Sequence, residues 1–421
     1  MKKVKGLRWW IIGMIALATV INYIDRSTLA IMWPSISKDL GMTKQDYALI
    51  LNMFMIAYAI GQSVSGRVFD KVGTRLGYVI TIAVWGMSSF LHSIARGVLS
   101  FSFFRVTLGL GEAGNWPGAV KSNAEWFPVR ERAVAQGIFN SGASIGSVIA
   151  PPLIALLWTA FGWKITFMIV GCFGLIWIIP WLIINKTGPQ DHPWISEEEK
   201  EFILAGQPNS KATTKNIKGL TVREILAHRE SWSVLVSRFF LEPIWWLFVG
   251  WMPIYLADKY GFNVKQIGYF AWVPYVGAAL GSIIGGGYAG KLMGRGKTVN
   301  QARKQAIVTG GVIMFFGLVA TILFADTPLK FVLIVAFVLF GFQFSIGNIQ
   351  TIPSDLFSGK SVGSLAGLGG SVGVFSVIIM NFLVPVISKI SYIPIFMMIA
   401  VFVPLGVAAV FILAKEIKPV E

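Results

Sequence analysis

Residues 66–75 read GRVFDKVGTR, and residues 287–295 read GYAGKLMGR. Both stretches place two glycines seven positions apart, with a charged residue four positions after the first glycine. Asp70 occupies that position in the first stretch, and Lys291 occupies it in the second. Each stretch follows a long apolar segment, and glycine permits the tight turn that must join two helices there. The repetition therefore predicts two related halves built from membrane-spanning helices.

The composition agrees with a membrane protein. Hydrophobic side chains make up 55% of the 421 residues and charged side chains only 13%, about half the charged share of a soluble domain. Apolar runs of about 20 residues, the length that crosses a bilayer as a helix, recur along the whole chain. We predict an all-α membrane fold with twelve transmembrane helices, at residues 9–32, 46–69, 77–95, 98–119, 132–158, 163–185, 232–256, 265–290, 305–325, 330–351, 362–388 and 392–414.

The longest polar stretch divides these spans into two sets of six. We predict an N-terminal six-helix bundle over 1–185, a linker over 186–231 and a C-terminal six-helix bundle over 232–421. With the N-terminus in the cytoplasm, 25 of the 36 Lys and Arg residues fall on the cytoplasmic side and 8 on the other. That bias predicts cytoplasmic termini. It also accounts for the net charge of +16 through contact with the lipid bilayer, so no nucleic-acid partner is expected.

The motifs resemble those of one transporter superfamily. The pattern G-x-x-x-D-K-x-G-x-R at 66–75 is similar to the signature loop of the major facilitator superfamily. NYIDR at 22–26, GLGEAGNWPG at 109–118 and EWFP at 125–128 resemble its anion:cation symporter family. EPIWW at 242–246 is similar to the corresponding segment of the bacterial hexuronate transporters.

This resemblance implies a function and a location. It implies a proton-coupled symporter that imports a sugar-acid anion, above all a hexuronate such as galacturonate or glucuronate, by alternating access. Another organic anion (an aldonate, an aldarate or an aromatic acid) and an efflux antiporter remain alternatives. The expected partners are protons, the sugar acid and the lipid bilayer, and the expected location is the bacterial inner membrane. We expect a monomer.

Six ionisable residues lie deep in the predicted spans, where each costs about 3 kcal/mol or more. Asp25 and Arg26 in span 1 lie at the same depth as Arg105 in span 4. Neighbouring residues point about 100° apart on a helix, so we expect Asp25 to face Arg105 and Arg26 to face the central cavity. Buried ion pairs that only fix helix packing are the alternative. The six residues are Asp25, Arg26, Arg105, Glu112, Arg238 and Glu242.

Two roles follow for the charges of the first half. Carboxylates in a low-dielectric site beside arginines suit proton coupling, so Asp25 and Glu112 are the predicted proton sites, with Arg105 beside them. Arg26 is the predicted ligand of the substrate carboxylate, because its planar guanidinium can donate two parallel hydrogen bonds. The further candidate substrate ligands are polar or aromatic residues near these spans, namely Asn22, Tyr23, Tyr58, Gln62, Trp245, Trp246 and Asn348.

A second group of residues is predicted to control conformation. In the loop signature, Asp70 is expected to pair with a cytoplasmic arginine such as Arg130 or Arg132 and hold the outward-open state, although these loop charges could serve only to set topology. Arg238 and Glu242 stand at i and i+4 of span 7, as a gate or as a local helix pair. The predicted gating residues are Gly66, Asp70, Gly73, Arg75, Arg238 and Glu242.

Other functional classes have little support in the sequence. We find no cluster of nucleophile, base and metal ligands such as an enzyme requires, and no phosphate-binding G-x-x-x-x-G-K-[ST] loop. Cys172 is the single cysteine, which excludes an internal disulfide. No metal and no cofactor are therefore expected. His92 is predicted to be a packed helix residue, and the run SGASIGSVIAPP at 141–152 to provide close helix contact.

Overall fold

The computed structural model describes residues 3–128, 131–205, 220–357 and 359–419. Over these residues the chain is helical, and its fourteen α-helices run in the following order. They are α1 (Leu7–Leu40), α2 (Lys44–Leu91), α3 (Val98–Glu112), α4 (Asn115–Trp126), α5 (Arg132–Ile184), α6 (Glu197–Ala205), α7 (Val222–Ala227), α8 (Arg229–Tyr260), α9 (Val264–Phe270), α10 (Val273–Gly294), α11 (Val299–Phe324), α12 (Pro328–Leu356), α13 (Gly359–Ile387) and α14 (Ile393–Leu413).

The two longest helices each contain an internal break at a glycine. In α2 the backbone leaves helical geometry at Gly73, with φ 78° and ψ 169°. In α5 it does so at Gly162, with φ 73° and ψ 173°. This region of backbone space is open essentially to glycine alone, because a Cβ would clash with the adjacent peptide groups. The chain therefore changes direction at these points.

These breaks explain how the helices provide the predicted crossings. Within the described residues, nine helical segments are long and apolar enough to cross a membrane, judged by length and composition alone. Helices α2 and α5 each supply two crossings, one on either side of their glycine. The pairs α3–α4 and α9–α10 each supply one interrupted crossing, and six helices supply one each. In the described part of the chain, this gives the twelve crossings of the predicted all-α membrane fold.

Capping residues set the ends of several helices. Thr43 begins α2 with a capping box, in which its hydroxyl accepts from the Asp46 N–H and the Asp46 side chain accepts from the Thr43 N–H. Thr298 begins α11 in the same way with Gln301. Gly41 ends α1 in the left-handed conformation, and its N–H donates to the carbonyl of Ser37. These local signals set the starts of α2 and α11 and the end of α1.

The chain divides into two compact units, Met1–Asn216 and Ile217–Glu421. The division lies inside the stretch predicted to be the linker, 186–231. The same pairings of helices occur in both units. In the first unit α1 packs on α5 and α2 on α3, while in the second α8 packs on α13 and α10 on α12. The two units are therefore built on one repeated plan.

Small residues allow the closest of these contacts. A Cβ added at Gly142 would lie 2.5 Å from the carbonyl oxygen of Ala16, and one at Gly146 would lie 2.7 Å from that of Val20. Both distances are too short for any side chain, so α1 and α5 touch through backbone. The packing role predicted for the run 141–152 is confirmed at Gly142 and Gly146. Dispersion contacts at such short range stabilise helix pairs in a bilayer, where no hydrophobic effect drives helices together.

The start of the linker is tied to the start of α1. The Glu199 carboxylate accepts from the N–H groups of Leu7 (3.0 Å) and Arg8 (3.2 Å) and from Arg8 Nη1 (2.8 Å). Arg8 also donates from Nε to Glu131 at 2.9 Å, and its guanidinium lies 5.1 Å from the Phe202 ring. Glu199 thus satisfies two N–H groups that α1 itself cannot satisfy, and its charge opposes the positive end of the helix dipole.

The conformation of Gly73 gives a sharp prediction. Replacement by alanine forces a Cβ into a region that only glycine tolerates, at a cost of about 1–3 kcal/mol. We expect Gly73→Ala to lower the apparent Tm of the detergent-solubilised protein. Gly66→Ala is the matched control within the same motif, since Gly66 lacks a positive φ and a Cβ there meets no atom within 4 Å. Equal Tm values for the two variants would contradict the assigned break.

The Glu199 contact gives a second prediction. Glu199→Ala removes a helix cap, which typically costs about 0.5–2 kcal/mol, and leaves Arg8 with one carboxylate instead of two. We expect a lower apparent Tm and faster proteolysis near the N-terminus. Glu198→Gln, at the exposed neighbouring position, serves as the control. A Glu199→Ala protein as stable as the Glu198→Gln protein would show that the contact contributes nothing.

Candidate functional site

A buried ion pair lies at the centre of the first unit. Arg26 of α1 donates from Nε to Oε2 of Glu112, the last residue of α3, at 2.6 Å. Arg26 is 7% exposed and Glu112 is fully buried. Such a short charge-assisted bond is strong in a low-dielectric interior, and removing either partner would leave the other charge uncompensated.

Aromatic rings surround the guanidinium of Arg26. Its central carbon lies 4.7 Å from the ring centre of Tyr58, 5.2 Å from Tyr23 and 5.6 Å from Phe54. Phe54 and Tyr58 are stacked on each other, one helical turn apart in α2. Ring faces attract a cation and also orient it. Two of the predicted substrate ligands, Tyr23 and Tyr58, therefore contact Arg26, and Phe54 is a third member that the sequence did not reveal.

Asp25 is not paired as the sequence suggested. Its Oδ1 accepts a very short hydrogen bond from the hydroxyl of Ser89 in α2. Arg105 and Glu112 are its charged neighbours, but among the described residues no ion pair joins Asp25 to Arg105. The ion pair between span 1 and span 4 therefore joins Arg26 to Glu112, while Arg105 is an electrostatic neighbour of Asp25 without forming an ion pair with it. Sequence alone gave the depth of each charge but not the rotation of α1.

Several buried polar atoms of this cluster have no hydrogen-bond partner within the described residues. They belong to Asn22 (Nδ2 and Oδ1), Asp25 (Oδ2), Glu112 (Oε1) and Arg105 (Nε and Nη2). Asn22 lies beside the Glu112 carboxylate, outside hydrogen-bond geometry. Leaving such groups unsatisfied costs about 1–3 kcal/mol each, more when they are charged. Each of these atoms can therefore form a further hydrogen bond.

The interruption of span 4 lies next to the ion pair. Helix α3 ends at Glu112 and α4 begins at Asn115, and Pro117, which has no N–H, lies in the first turn of α4. The amide of Asn115 donates to Thr19 Oγ1 at 3.0 Å. This side-chain bond connects the broken crossing to α1, one and two turns before Asn22 and Arg26.

His92 lies near the cluster but is part of the packing. Its Nδ1 is 2.7 Å from the Ser88 carbonyl, and its ring stacks on Phe167 with centres 5.0 Å apart. It is fully buried. This agrees with the prediction of a packed helix residue. Ser89 lies one turn away from His92. Its contact with Asp25 is not recognisable from the sequence, because a serine in an apolar span forms no distinctive pattern.

The loop signature makes a contact that differs from the predicted one. Asp70 pairs with Lys121 of α4 at 3.0 Å, and the same Lys121 donates to the carbonyl of Phe69 at 2.7 Å. Arg132 instead donates to the carbonyls of Phe127 and Ala124, and the other predicted partner, Arg130, lies outside the described residues. The expected Asp70–Arg132 pair is therefore wrong.

The other members of the signature lie around the break in the middle of α2. Gly66 has open space around it, and Gly73 carries the backbone break described above. Arg75 is exposed, and its carbonyl accepts from Trp181 Nε1 at 3.0 Å. Gln62, one turn before Gly66, is also exposed. Their predicted gating and binding roles stay predictions.

In the second unit, Arg238 and Glu242 form a local pair on α8. Arg238 Nε donates to Glu242 Oε1 at 2.9 Å, and Nη1 donates to the carbonyl of Ala366 in α13 at 3.3 Å. A Cβ at Gly373 would lie 2.6 Å from the Glu242 side chain. The pair therefore packs against a glycine-lined surface of α13. Its role as a gate stays a prediction.

The remaining candidates of the second unit are largely engaged in packing. Trp245 is 8% exposed and stacks on Phe342 with ring centres 5.7 Å apart, while Trp246 is half-buried. Asn348 accepts from Arg303 Nη1 at 3.2 Å and donates to the carbonyls of Gly285 and Phe344. Its amide therefore connects three helices, and its predicted role as a substrate ligand stays a prediction.

The sequence is similar to a family model and to known transporters. The family model described as Major Facilitator Superfamily matches residues 15–380. The hexuronate transporter of Escherichia coli (strain K12) is 33% identical over 423 residues, covering 100% of this chain and 97% of that protein. The galacturonate transporter of Dickeya chrysanthemi is 36% identical over 318 residues, covering 75% of this chain and 91% of that protein.

A solved structure has the same fold. The crystal structure of a bacterial homologue of the human lysosomal transporter Spinster, in an inward-facing and occupied conformation, matches with a TM-score of 0.73. The match covers 98% of each chain at 16% identity, so it concerns the fold alone.

Membrane-crossing helices in two repeated units, with a charged cluster buried among them, define a multi-pass membrane transporter and not an enzyme. The chain belongs to the Major Facilitator Superfamily. Its resemblance to the anion:cation symporter type within that superfamily is confirmed. No group of three or more metal-binding side chains lies together in the described parts of the chain.

The corrected pairing predicts a specific pattern of stability. Arg26→Met leaves the Glu112 charge buried and alone, which should cost about 3–5 kcal/mol. Adding Glu112→Gln removes that charge, so we expect the double variant to recover much of the loss. The matched control is Arg26→Met with Asp25→Asn, which should recover less, and apparent Tm in detergent is the measurement. Greater recovery with Asp25→Asn would instead support pairing of Arg26 with Asp25.

Proposed function

We propose that the chain is a proton-coupled symporter that imports a sugar-acid anion, a hexuronate such as galacturonate or glucuronate, by alternating access. The observation that carries the proposal is the buried Arg26–Glu112 pair inside its aromatic surroundings. The two relatives described above, a hexuronate and a galacturonate transporter, support the choice of substrate.

The ion pair supplies a simple basis for coupling. While Glu112 is charged, it occupies the Nε donor of Arg26. A proton on Glu112 weakens that bond, because a neutral carboxyl group attracts a cation less than a carboxylate does. Arg26 can then bind the carboxylate of an incoming anion. Loading of a proton thereby favours loading of a substrate, and loss of the proton inside the cell favours release.

The surrounding groups suit a sugar acid. The ring faces of Tyr23 and Tyr58 beside Arg26 can stack on a pyranose ring. The unpaired amide of Asn22 can bond to a hydroxyl group of the sugar. A site with matched hydrogen-bonding groups discriminates against analogues that lack the hydroxyls, because its own polar atoms would then remain unpaired.

Asp25 and Arg105 complete the proposed proton site. Asp25 keeps Oδ2 without a partner, and Arg105 keeps Nε and Nη2 without one. A proton can therefore reside on Asp25 while Arg26 leaves Glu112 and binds the substrate carboxylate. Two carboxylates close to two arginines allow the local charge to change by one proton without a bare charge in the membrane interior.

The distribution of basic residues supports an orientation. We infer that both termini lie in the cytoplasm, and that the protein resides in a bacterial inner membrane as a monomer. The excess of Lys and Arg in the predicted cytoplasmic loops supports the cytoplasmic location of the termini, and the bacterial transporters similar to this chain support the membrane. In that orientation, an inward proton gradient drives uptake.

Transport in proteoliposomes tests the proposal. With glucuronate or galacturonate and an inward proton gradient, we expect the wild-type protein to accumulate substrate. Glu112→Gln should abolish accumulation but retain exchange of labelled for unlabelled substrate, because its neutral side chain mimics the protonated state. Glu198→Gln, an exposed carboxylate outside the cluster, is the control and should transport normally.

Ligand binding tests the role of Arg26 separately. A hexuronate should raise the apparent Tm of the wild-type protein and fail to raise that of a folded Arg26→Lys variant, because a lysine cannot donate two parallel hydrogen bonds. Parallel measurements with aldonates, aldarates and aromatic acids rank the substrate classes. Accumulation by Glu112→Gln against a gradient would overturn the proton role, and normal binding by Arg26→Lys would overturn the anion role.

A further inference from the structure

A groove on the second unit is separate from the charged cluster of the first. It has a volume of about 500 Å³ and lies between the start of α11 and the end of α14. Lys297, Asn300, Lys304 and Gln305 line its polar part. Phe411 of α14 forms its apolar wall.

Two lysines give the groove its charge. Lys304 Nζ donates to the carbonyl of Lys415 at 2.8 Å and lies 5.1 Å from the Phe411 ring. Lys297 donates to Oε1 of Gln305. An ammonium group has three donors, so each lysine keeps further N–H groups for a ligand.

A nearby carboxylate does not cancel this charge. Glu416 is an electrostatic neighbour of Lys304, but it pairs with Lys418 at 2.8 Å. The groove therefore retains an excess of positive charge and can attract an anion.

The groove continues into an apolar ridge along α11. Asn300, Lys304, Val308, Val312 and Phe316 succeed one another every four residues, so they lie in one row on the helix surface. The row changes from polar to apolar along the helix, and Val312 and Phe316 are 49% and 64% exposed. Helix α11 is among the segments long and apolar enough to cross a membrane, so this exposed row faces lipid.

We propose that this groove binds the headgroup of an anionic phospholipid, whose acyl chains lie along the ridge from Val308 to Phe316. The lysines and amide side chains match a phosphate group, and the row below them matches a hydrocarbon chain. A soluble anion would use the lysines but gain nothing from the apolar row. Basic residues beside an anionic membrane surface contribute about 1 kcal/mol each, about a fivefold change in affinity per lysine.

Lipid binding to the purified full-length protein tests the proposal. Phosphatidylglycerol and phosphatidylcholine with identical acyl chains are compared by native mass spectrometry, so that any difference reports the headgroup. We expect phosphatidylglycerol to be retained preferentially. The double variant Lys297→Gln/Lys304→Gln should bind it about 30-fold more weakly. Lys389→Gln, which removes one charge beyond the opposite end of α14, should change nothing.

Other results would decide against the proposal or for it. Equal retention of the two lipids by the wild-type protein, or an unchanged preference in the double variant, would overturn the proposal. Competition by glycerol phosphate as strong as that by phosphatidylglycerol would show a soluble-anion site and overturn the lipid assignment. Lys297→Gln alone keeps the Lys304–Lys415 contact, and it should weaken phosphatidylglycerol about fivefold even if the double variant fails to fold.

Discussion

The Arg26–Glu112 ion pair is the constraint on which the first unit depends. Two opposite charges in a membrane interior are tolerable only when they neutralise each other, since each alone would be strongly disfavoured. The pair joins α1 to the end of α3 at 2.6 Å. It therefore fixes the end of α3 against α1, and in the proposed mechanism a proton on Glu112 weakens this contact.

The backbone around the pair is arranged to accommodate it. Span 4 is interrupted just after Glu112. The amide of Asn115 then donates a hydrogen bond to Thr19 of α1. On the other side, α1 meets α5 at Gly142 and Gly146 with no room for a side chain. Helix α1 is thus in backbone contact with α5 and in polar contact with the interrupted span 4.

The two units share a plan but differ in what they bury. In the first, charges on different helices meet. In the second, Arg238 and Glu242 belong to one helix, and Asn348 is fixed by three neighbours. A local helix pair persists when helices move apart, while a pair between helices does not. The buried ion pair between helices therefore lies in the first unit, whereas the Arg303–Asp355 pair, which joins α11 to α12 in the second unit, is partly exposed.

The sequence by itself determined the helical membrane fold, its twelve crossings and the identity of the ionisable cluster. Apolar length and charge placement are local properties, and a lone charge such as Glu112 in an apolar run stands out without any structure. It also identified Gly73, because a turn between two spans needs a residue that can adopt positive φ.

Only the tertiary structure decided which groups meet. The rotation of α1 depends on the sum of its contacts with α5, α2 and α3, and a rotation of 100° exchanges the neighbours of Asp25 and Arg26. Arg26 thus forms an ion pair with Glu112, and Asp25 accepts a hydrogen bond from Ser89. Asp70 forms an ion pair with Lys121 instead of Arg132. A pattern along one helix carries the depth of a side chain in the membrane, but its direction is set by packing against distant parts of the chain.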